Sequence, residues 1–495
     1  MYDVKEIISL ISSPSKEGVE LITEAHKFAE RAHAGQKRHS GNDYFLHLHE
    51  TAKNLALYGM KREVVAAGLL HDSIEDGVAT EEEIRKKFGE EILFLIQGVT
   101  KLGALKYKGT KRHAESLRKL FIATSKDARV LMIKLTDRLH NMQTLQYVPK
   151  EKQIRIALET AEIYAPLAYR LGITKLSREL EDLAFKFLEP EEYERISKII
   201  KERTKKDTAY LEKISRTLKK EMAKNKIRVL NTNYRIKGVK SLHKKLLKRG
   251  VDSEVHDILA LRIIVSTIDD CYQTLGIVHG LWRPAPGRIK DYIALPKENG
   301  YRSLQTTVFT GNGNLIEIQI RTEEMHREAE YGIAAHAKYK GESLYSGLWL
   351  EKFIRGIKID DNEVKIDTPN IVRHLSTYDE NYKDPANFVK ELTNDFFGER
   401  IFILTPDGDA VDLPEGSGPI DFAYSIHSDI GDHISGVKIN GKMASLGALL
   451  KNGDIIEILT KKSLSPTQKW LSLAKTNSAK RHIRGVLEKI EKSIL

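Results

Sequence analysis

Through residues 1–195 apolar side chains recur at three- and four-residue intervals. Leu21, Ile22, Ala25, Phe28, Ala29 and Ala32 form one stripe, and Val130, Leu131, Ile133, Leu135, Leu139 and Met142 form another. That spacing puts apolar groups on one face of an α-helix, so this stretch is predicted to be all-α. The basic stretch that follows carries Lys219, Lys220, Lys224, Lys226 and Arg228 and reads as a solvated helix face. The pattern then changes. A β-branched and apolar run from Ile258 to Ser266 predicts a strand, Asp270 to Trp282 a helix, and the Gly311-Asn312-Gly313-Asn314 cluster a hairpin turn. Leu315 to Arg321 alternates, with Ile316, Ile318 and Ile320 on one side and Glu317, Gln319 and Arg321 on the other. Taken alone, that alternation fits a strand with one solvent-exposed face. Glu323 to Lys340 returns to helical spacing, which makes the middle block mixed α/β. Residues 346–395 are polar and poorly patterned, as expected of a linker with some helix. From Glu399 short strands alternate with turns, at Arg400 to Leu404, Pro406-Asp407-Gly408 and Asp454 to Leu459, around a helix near Pro419 to His427. This predicts a small β-grasp-like domain, followed by a basic helical tail from Ser478 to Leu495. The expected divisions are therefore 1–195, 196–345, 346–395, 396–462 and 463–495.

Length and charge refine this outline. A chain of 495 residues accommodates about three domains. A net charge of +11 suits polyanionic partners, with nucleotide phosphates and RNA both admissible. The single cysteine, Cys271, excludes an internal disulfide and reads as a small core side chain in a helix, consistent with a reducing compartment. Asp3, Lys5 and Glu6 exclude a signal peptide, and no apolar run approaches a membrane span, so a cytoplasmic protein is expected.

Candidate chemistry concentrates in two blocks. His71-Asp72, with His47 upstream and Asp137 downstream, offers imidazoles and carboxylates suited to a divalent metal, with positions left for water and a phosphate. Glu75 and Asp76 fall one turn beyond His71-Asp72, on the same side of the expected helix, where they could handle the attacking water. A metal-dependent phosphohydrolase is the expectation. In the second block Asp257 precedes an apolar strand that is expected to pair near Glu317. Two carboxylates brought together there can hold magnesium against triphosphate oxygens. Arg235, Lys237, Ser241, Lys245, Arg288, Lys290 and Lys297 supply the basic groups of a phosphoryl-transfer site. No Gly-rich Walker loop and no kinase signature accompanies them.

The segments Gln36-Lys37-Arg38, Asp43-Tyr44-Phe45-Leu46-His47, His71-Asp72-Ser73-Ile74-Glu75-Asp76 and Lys134-Leu135-Thr136-Asp137-Arg138-Leu139-His140-Asn141-Met142 resemble the HD hydrolase domain of the RelA/SpoT alarmone enzymes. Asp291-Tyr292-Ile293-Ala294-Leu295-Pro296-Lys297, Asn299-Gly300-Tyr301-Arg302-Ser303-Leu304, Glu317-Ile318-Gln319-Ile320-Arg321-Thr322 and Glu330-Tyr331-Gly332-Ile333-Ala334-Ala335-His336 resemble the synthetase domain of the same family. Pro414-Glu415-Gly416-Ser417, Asp421 to His427, Val437 to Lys442 and Asn452-Gly453-Asp454 resemble a TGS domain. The resemblance implies an all-α HD-type hydrolase domain, a mixed α/β nucleotidyltransferase-like synthetase domain and a small β-grasp-like TGS domain. It also implies a role in the stringent response: ATP pyrophosphate is transferred to the 3′-hydroxyl of GDP or GTP, and the 3′-pyrophosphate is removed from (p)ppGpp.

Carried onto this sequence, the resemblance implies Mn2+ at His47, His71, Asp72 and Asp137, and Mg2+ at Asp257 and Glu317. It assigns nucleotide contacts to Arg38, Asn141 and Thr144 in the first block. In the second it assigns them to Arg235, Lys237, Ser241, Lys245, Arg288, Lys290, Lys297, Asn299, Tyr301, Gln305, Gln319 and Arg321, with Tyr301 stacking on guanine. Arg288-Ile289-Lys290-Asp291 matches the R-x-K-D form of members that keep both activities. Leu48 replaces the usual proline, which reads as packing or turn chemistry; Gln305 replaces the usual histidine in the guanine-nucleotide region, so a hydrolase with a degenerate synthetase domain stays open. A regulator that binds deacylated tRNA and the ribosome is the third reading. His427 either reads the tRNA end or caps a helix end.

Overall fold

The computed structural model describes residues 2–494 apart from 12–13, 104–126, 250–258, 298–299, 312–314, 333–399, 409, 462 and 464. Asp257, Asn299, the 346–395 linker and the end of the helix expected to reach Lys340 lie outside the described residues. The N-terminal part is helical, as its periodicity predicts. It comprises α1 (Val4–Ile8), α2 (Lys16–Ala32), α3 (Phe45–Leu57), α4 (Arg62–Leu70), α5 (Glu81–Phe88), α6 (Glu90–Gly103), α7 (Ala128–Gln143), α8 (Lys150–Glu159), α9 (Ala165–Arg170), α10 (Thr174–Leu188) and α11 (Pro190–Lys224). Polar caps set several starts. Ser15 accepts from the Gly18 N–H at the head of α2, and Asp127 accepts from the Arg129 N–H at the head of α7. Leu48, at the position where the family usually has proline, is fully buried in α3, so an apolar packing role explains it. The 35-residue α11 runs unbroken through position 195, where the sequence pattern suggested a division.

The α/β part contains β1 (Val229–Ile236), α12 (Val239–Arg249), β2 (Leu259–Val265), α13 (Ile268–Leu281), β3 (Arg283–Pro284), β4 (Lys290–Asp291), β5 (Leu304–Phe309), β6 (Leu315–Thr322) and α14 (Glu323–Tyr331). The sheet order is β1-β2-β6-β5-β3, with β4 paired to β5; β2 and β6 run parallel and the other pairs antiparallel. β5 and β6 flank the expected hairpin turn, and Gly311 takes φ 93°, a left-handed value that glycine adopts freely. One sheet face is apolar. Leu261, Ile263, Leu304, Val308, Ile316, Ile318 and Ile320 pack there against Leu218 and Met222 of α11 and Cys271 and Val278 of α13. Burial raises the Cys271 thiol to about 12, which keeps it an inert core group. The other face carries the charged side chains. It is not solvated as a simple alternating strand would be, because Gln319 and Arg321 are almost fully buried.

A second compact unit holds β7 (Arg400–Leu404), β8 (Ala410–Pro414), α15 (Pro419–Ile426), α16 (Ser428–Asp432), β9 (Ile434–Ile439), β10 (Lys442–Ala444), β11 (Ile456–Thr460), α17 (Gln468–Leu473) and α18 (Asn477–Ile494). Its sheets are β10-β9-β11 and β7-β8, joined by a Leu404–Ile455 bridge, with α15 packed on them. Asp421 on α15 is buried. It accepts from the Gly418 N–H at 2.9 Å, the Lys475 N–H at 2.9 Å, and the Thr476 N–H and hydroxyl at 2.7 and 2.8 Å. One carboxylate thus ties the start of α15 to the approach to α18. Asp421→Ala orphans these donors, and we expect it to destabilise this unit by about 3 kcal/mol. Hydrogen exchange across α18 in the full chain measures it; unchanged protection would show that water replaces the carboxylate without loss.

Candidate metal centre and phosphate pocket

Three helical segments converge on the first centre. His47 comes from α3, His71 from the C-cap of α4 and Asp137 from α7, and one ligand atom of each lies within 4.8 Å of the others. Asp72 completes the group, with Oδ1 3.2 Å from His71 Nε2 and Oδ2 3.7 Å from His47 Nε2. Asp137 Oδ1 stands 3.3 Å from His47 Nε2.

The hydrogen bonds behind the imidazoles decide which nitrogen is bare. Arg38 Nη1 lies 3.1 Å from His140 Nδ1. Arginine only donates, so His140 Nδ1 is an acceptor. His47 Nδ1, 2.8 Å from the same atom, must then carry the proton, which leaves His47 Nε2 with a free lone pair facing Asp72 and Asp137. Burial, with His47 and Arg38 beside it, lowers His140 to about 3, so it is neutral as this bonding requires. His71 repeats the arrangement: its Nδ1 donates to the Gly68 carbonyl at 2.8 Å, and its buried Nε2 has no hydrogen-bond partner. Two bare imidazole nitrogens among two carboxylates fit a divalent cation. Burial pushes the Asp137 carboxyl up, but Lys134, donating at 2.7 Å, and His47 hold it well below the usual range. Tyr44 donates to Asp72 Oδ2 at 2.8 Å.

Arg38 also donates to Asn141, and Asn141 to Asp137, so both expected nucleotide contacts border the centre. Thr144 caps α7 and returns its hydroxyl to the His140 carbonyl at 3.0 Å. Glu75 and Asp76 are exposed at the rim, but not on a helix as the spacing suggested. α4 stops at Leu70, the His71 ring takes the Gly68 carbonyl, and the chain runs through turns to Gly77, which has φ 69°. Partial desolvation and the nearby Asp72 carboxylate raise both carboxyls above their ordinary values. Tyr44, Lys134 and His140 were legible only as motif members; nothing in their spacing signals their contacts.

The second centre is built on the charged sheet face. Strand register puts Arg235, Ala260, Glu317 and Thr307 in one row across β1, β2, β6 and β5. The next row holds Arg262, Gln319, Gln305 and Lys290. Paired residues project to the same side, so the rows form one floor. Above it is a cavity of about 550 Å³ lined by Arg235, Lys237, Ser241, Lys245, Arg288, Lys290, Lys297, Tyr301, Gln305, Glu317 and Arg321, all expected site residues. Gln319 lies beneath, fully buried, and donates to Glu317 Oε1 at 2.6 Å. Glu317 is 3.9 Å from Arg235. Gln305 Nε2 donates to the Tyr301 hydroxyl at 2.9 Å, and the Lys297 ammonium and Arg321 guanidinium lie 5.4 and 5.5 Å from the Tyr301 ring centre.

Nine Arg and Lys side chains against three Glu line this cavity. Burial, then Arg321, lowers Arg262 to about 10, and Arg321 keeps two buried nitrogens without a hydrogen-bond partner. Both guanidiniums remain charged at neutral pH, so the pocket favours a multiply charged anion. Arg262 and Glu330, paired at 3.1 Å, had no assigned role. An arginine inside the apolar run from Ile258 to Ser266 was the available signal. In the second unit, His427 is exposed and its Nδ1 accepts from the Asp429 N–H at 3.1 Å, capping α16.

A metal-ready helical centre and a cation-lined α/β pocket therefore occur in one chain. The helical part matches the HD domain over residues 25–174, the α/β part the region found in RelA/SpoT proteins over 234–343, and the second unit the TGS domain over 401–460. The chain is 43% identical over 497 residues to a guanosine-3′,5′-bis(diphosphate) 3′-pyrophosphohydrolase of Aquifex aeolicus, covering 99% of this chain and 68% of that one. It is 40% identical to a GTP pyrophosphokinase of Myxococcus xanthus, covering 95% and 60%, and 41% identical to one of Streptomyces coelicolor, covering 94% and 55%. The chain belongs to the RelA/SpoT family. It spans between 55% and 68% of the length of these three relatives. Among the described residues no helix is long and apolar enough to cross a membrane.

His140→Leu keeps all four candidate ligands but removes the group that holds His47 in its ligating tautomer. We expect divalent-metal affinity to fall about 10–100-fold, measured by metal titration of folded protein. Unchanged affinity would mean that His47 needs no such support.

Proposed function

We propose that the chain both degrades and makes (p)ppGpp, at two separate centres. The observation that carries this reading is the contrast between them: bare imidazoles among carboxylates at one, a dense field of Arg and Lys over Glu317 at the other. His47, His71, Asp72 and Asp137 would hold a divalent cation, with Mn2+ the expected ion, and it would supply Lewis-acid charge for hydrolysis of the 3′-pyrophosphate. Arg38 and Asn141 at the border hold the nucleotide. Glu75 and Asp76, with raised carboxyls at the open rim, take and return the proton of the attacking water.

At the second centre the 3′-hydroxyl of GDP or GTP attacks the β-phosphorus of ATP and gives up its proton to water, while the bond from the β-phosphorus to the α–β bridging oxygen breaks and AMP leaves with that oxygen. Glu317, steadied by Gln319, and Asp257 would hold Mg2+, which would offset phosphate charge. Arg235, Lys237, Lys245 and Lys290 neutralise the phosphates, Ser241 and Arg288 complete the lining, and Tyr301 offers a ring to guanine. The Gln305–Tyr301 hydrogen bond supports a competent pocket rather than a decayed one, since the amide fixes the stacking ring. The TGS unit, with exposed His427, is the expected contact for deacylated tRNA on the ribosome.

Two substitutions test the division. Asp137→Ala is expected to abolish (p)ppGpp hydrolysis and leave synthesis, and Glu317→Ala to cut synthesis by at least ~100-fold and leave hydrolysis. Product formation by each purified variant, in both directions, decides it. Loss of both reactions in either folded variant would overturn the two-centre reading. For Gln305→His we expect a change in synthesis of less than about tenfold, since one hydrogen-bonding group replaces another. A large gain from a near-zero wild-type rate would instead favour a hydrolase with a degenerate synthetase domain.

A further inference from the structure

The cavity wall facing the sheet comes from outside the stretch that matches the RelA/SpoT region. Thr174, Ser177, Arg178 and Glu181 of α10 all line it, and their spacing puts them on one face of that helix. α10 runs from Thr174 to Leu188, so nearly all of it falls between the HD match, ending at 174, and the RelA/SpoT match, starting at 234. The same helix grips α12, which carries Ser241 and Lys245 into the cavity. Asp182 Oδ1 accepts from the Lys240 N–H at 2.9 Å, and the Val239 N–H also bonds its carboxylate. Asp182 therefore caps α12 from another helix, satisfying donors that the helix start leaves free. Lys240 and Lys244 of α12 add ion pairs to Glu189 at 2.8 Å and Glu181 at 3.1 Å. Gly238 permits this approach: a Cβ there would lie 2.9 Å from Arg178 Cγ and 3.0 Å from Asp182 Oδ2.

Arg178 is left facing the cavity. Among the described residues no carboxylate lies within ion-pair distance of its guanidinium, while Arg235 and Arg262 line the same space. Its charge is disfavoured by burial and by Arg235, so an anion placed between them would relieve both. Guanidinium geometry matches phosphate oxygens, and the cavity otherwise presents the phosphate-binding face of α12.

We propose that α10 completes the nucleotide site: Arg178 contacts the phosphate chain of the bound purine nucleoside triphosphate, and Asp182 is a positioning residue that aligns Ser241 and Lys245. The proposal rests on the reading of this cavity as the ATP site. Its test is calorimetric binding of a non-hydrolysable ATP analogue, and of adenosine, with magnesium, to the full chain and its variants. Arg235→Ala serves as the reference for the cavity, and melting temperature as the check on folding. For Arg178→Ala we expect binding of the ATP analogue to weaken about 10–100-fold with adenosine binding unchanged, and Arg178→Lys to recover part of it. Asp182→Ala is expected to lower kcat for synthesis more than it raises the KM for ATP, and Asp182→Asn, which keeps an acceptor oxygen, to restore most of the rate. If Arg235→Ala weakens binding and Arg178→Ala does not, or if adenosine binding falls equally, the proposal is overturned and the cavity reading stands. If the wild type binds no ATP analogue, or Arg235→Ala leaves binding intact, the cavity reading fails and the proposal with it.

Discussion

A sheet that is oily on one face and charged on the other has to be covered on the first and needs a partner of opposite charge on the second. The α/β part of this protein follows from that constraint. α11 and α13 close the apolar face with Leu218, Met222, Cys271 and Val278. The other face buries Arg262, Gln319 and Arg321, whose polar groups the protein satisfies only in part. Leaving buried guanidinium nitrogens without partners costs folding energy, and such costs persist where a ligand recovers them. The folded chain thus holds its cationic side chains in place in advance, so an anion of matching shape would need little rearrangement to bind.

The helical centre solves the opposite problem. Two carboxylates and two imidazoles crowd a small, mostly buried space, and the question there is which atoms remain unprotonated. The answer is set away from the centre by groups that have no choice of role: a guanidinium that only donates and a backbone carbonyl that only accepts. His140 passes the first of these constraints on to His47. A residue outside the candidate ligand set thereby decides which nitrogen of His47 is bare.

Element types were largely legible from period. The helical stripe from Leu21 to Ala32 became α2, and the alternation from Leu315 to Arg321 became β6, because apolar spacing reports directly on the face that must be buried. The candidate ligands were legible as chemistry and came together across α3, α4 and α7. What the period could not show was anything set by tertiary contact. The polar face of β6 is buried rather than solvated, and the segment after His71 turns where its side chain captures a helix carbonyl. Arg178 and Asp182 sit in an ordinary amphipathic helix, and only packing against Gly238 and α12 distinguishes them. The division expected at 195 falls inside α11: composition changes there, but the backbone hydrogen bonding of the helix does not.

That unbroken helix constrains how the protein can be dissected. At about 1.5 Å per residue its 35 residues form a rod roughly 50 Å long, with Ile196 buried near one end and Leu218 and Met222 in the sheet core near the other. A fragment starting at 196 would lose the first turn and a half of this rod and would keep neither α10 nor its cap on α12. Any binding or activity measured on it would report the damage of the cut as well as the properties of the domain. Fragments meant to isolate the α/β part should begin before Thr174, in the loop that follows α9, so that the rod and its buttress are inherited whole.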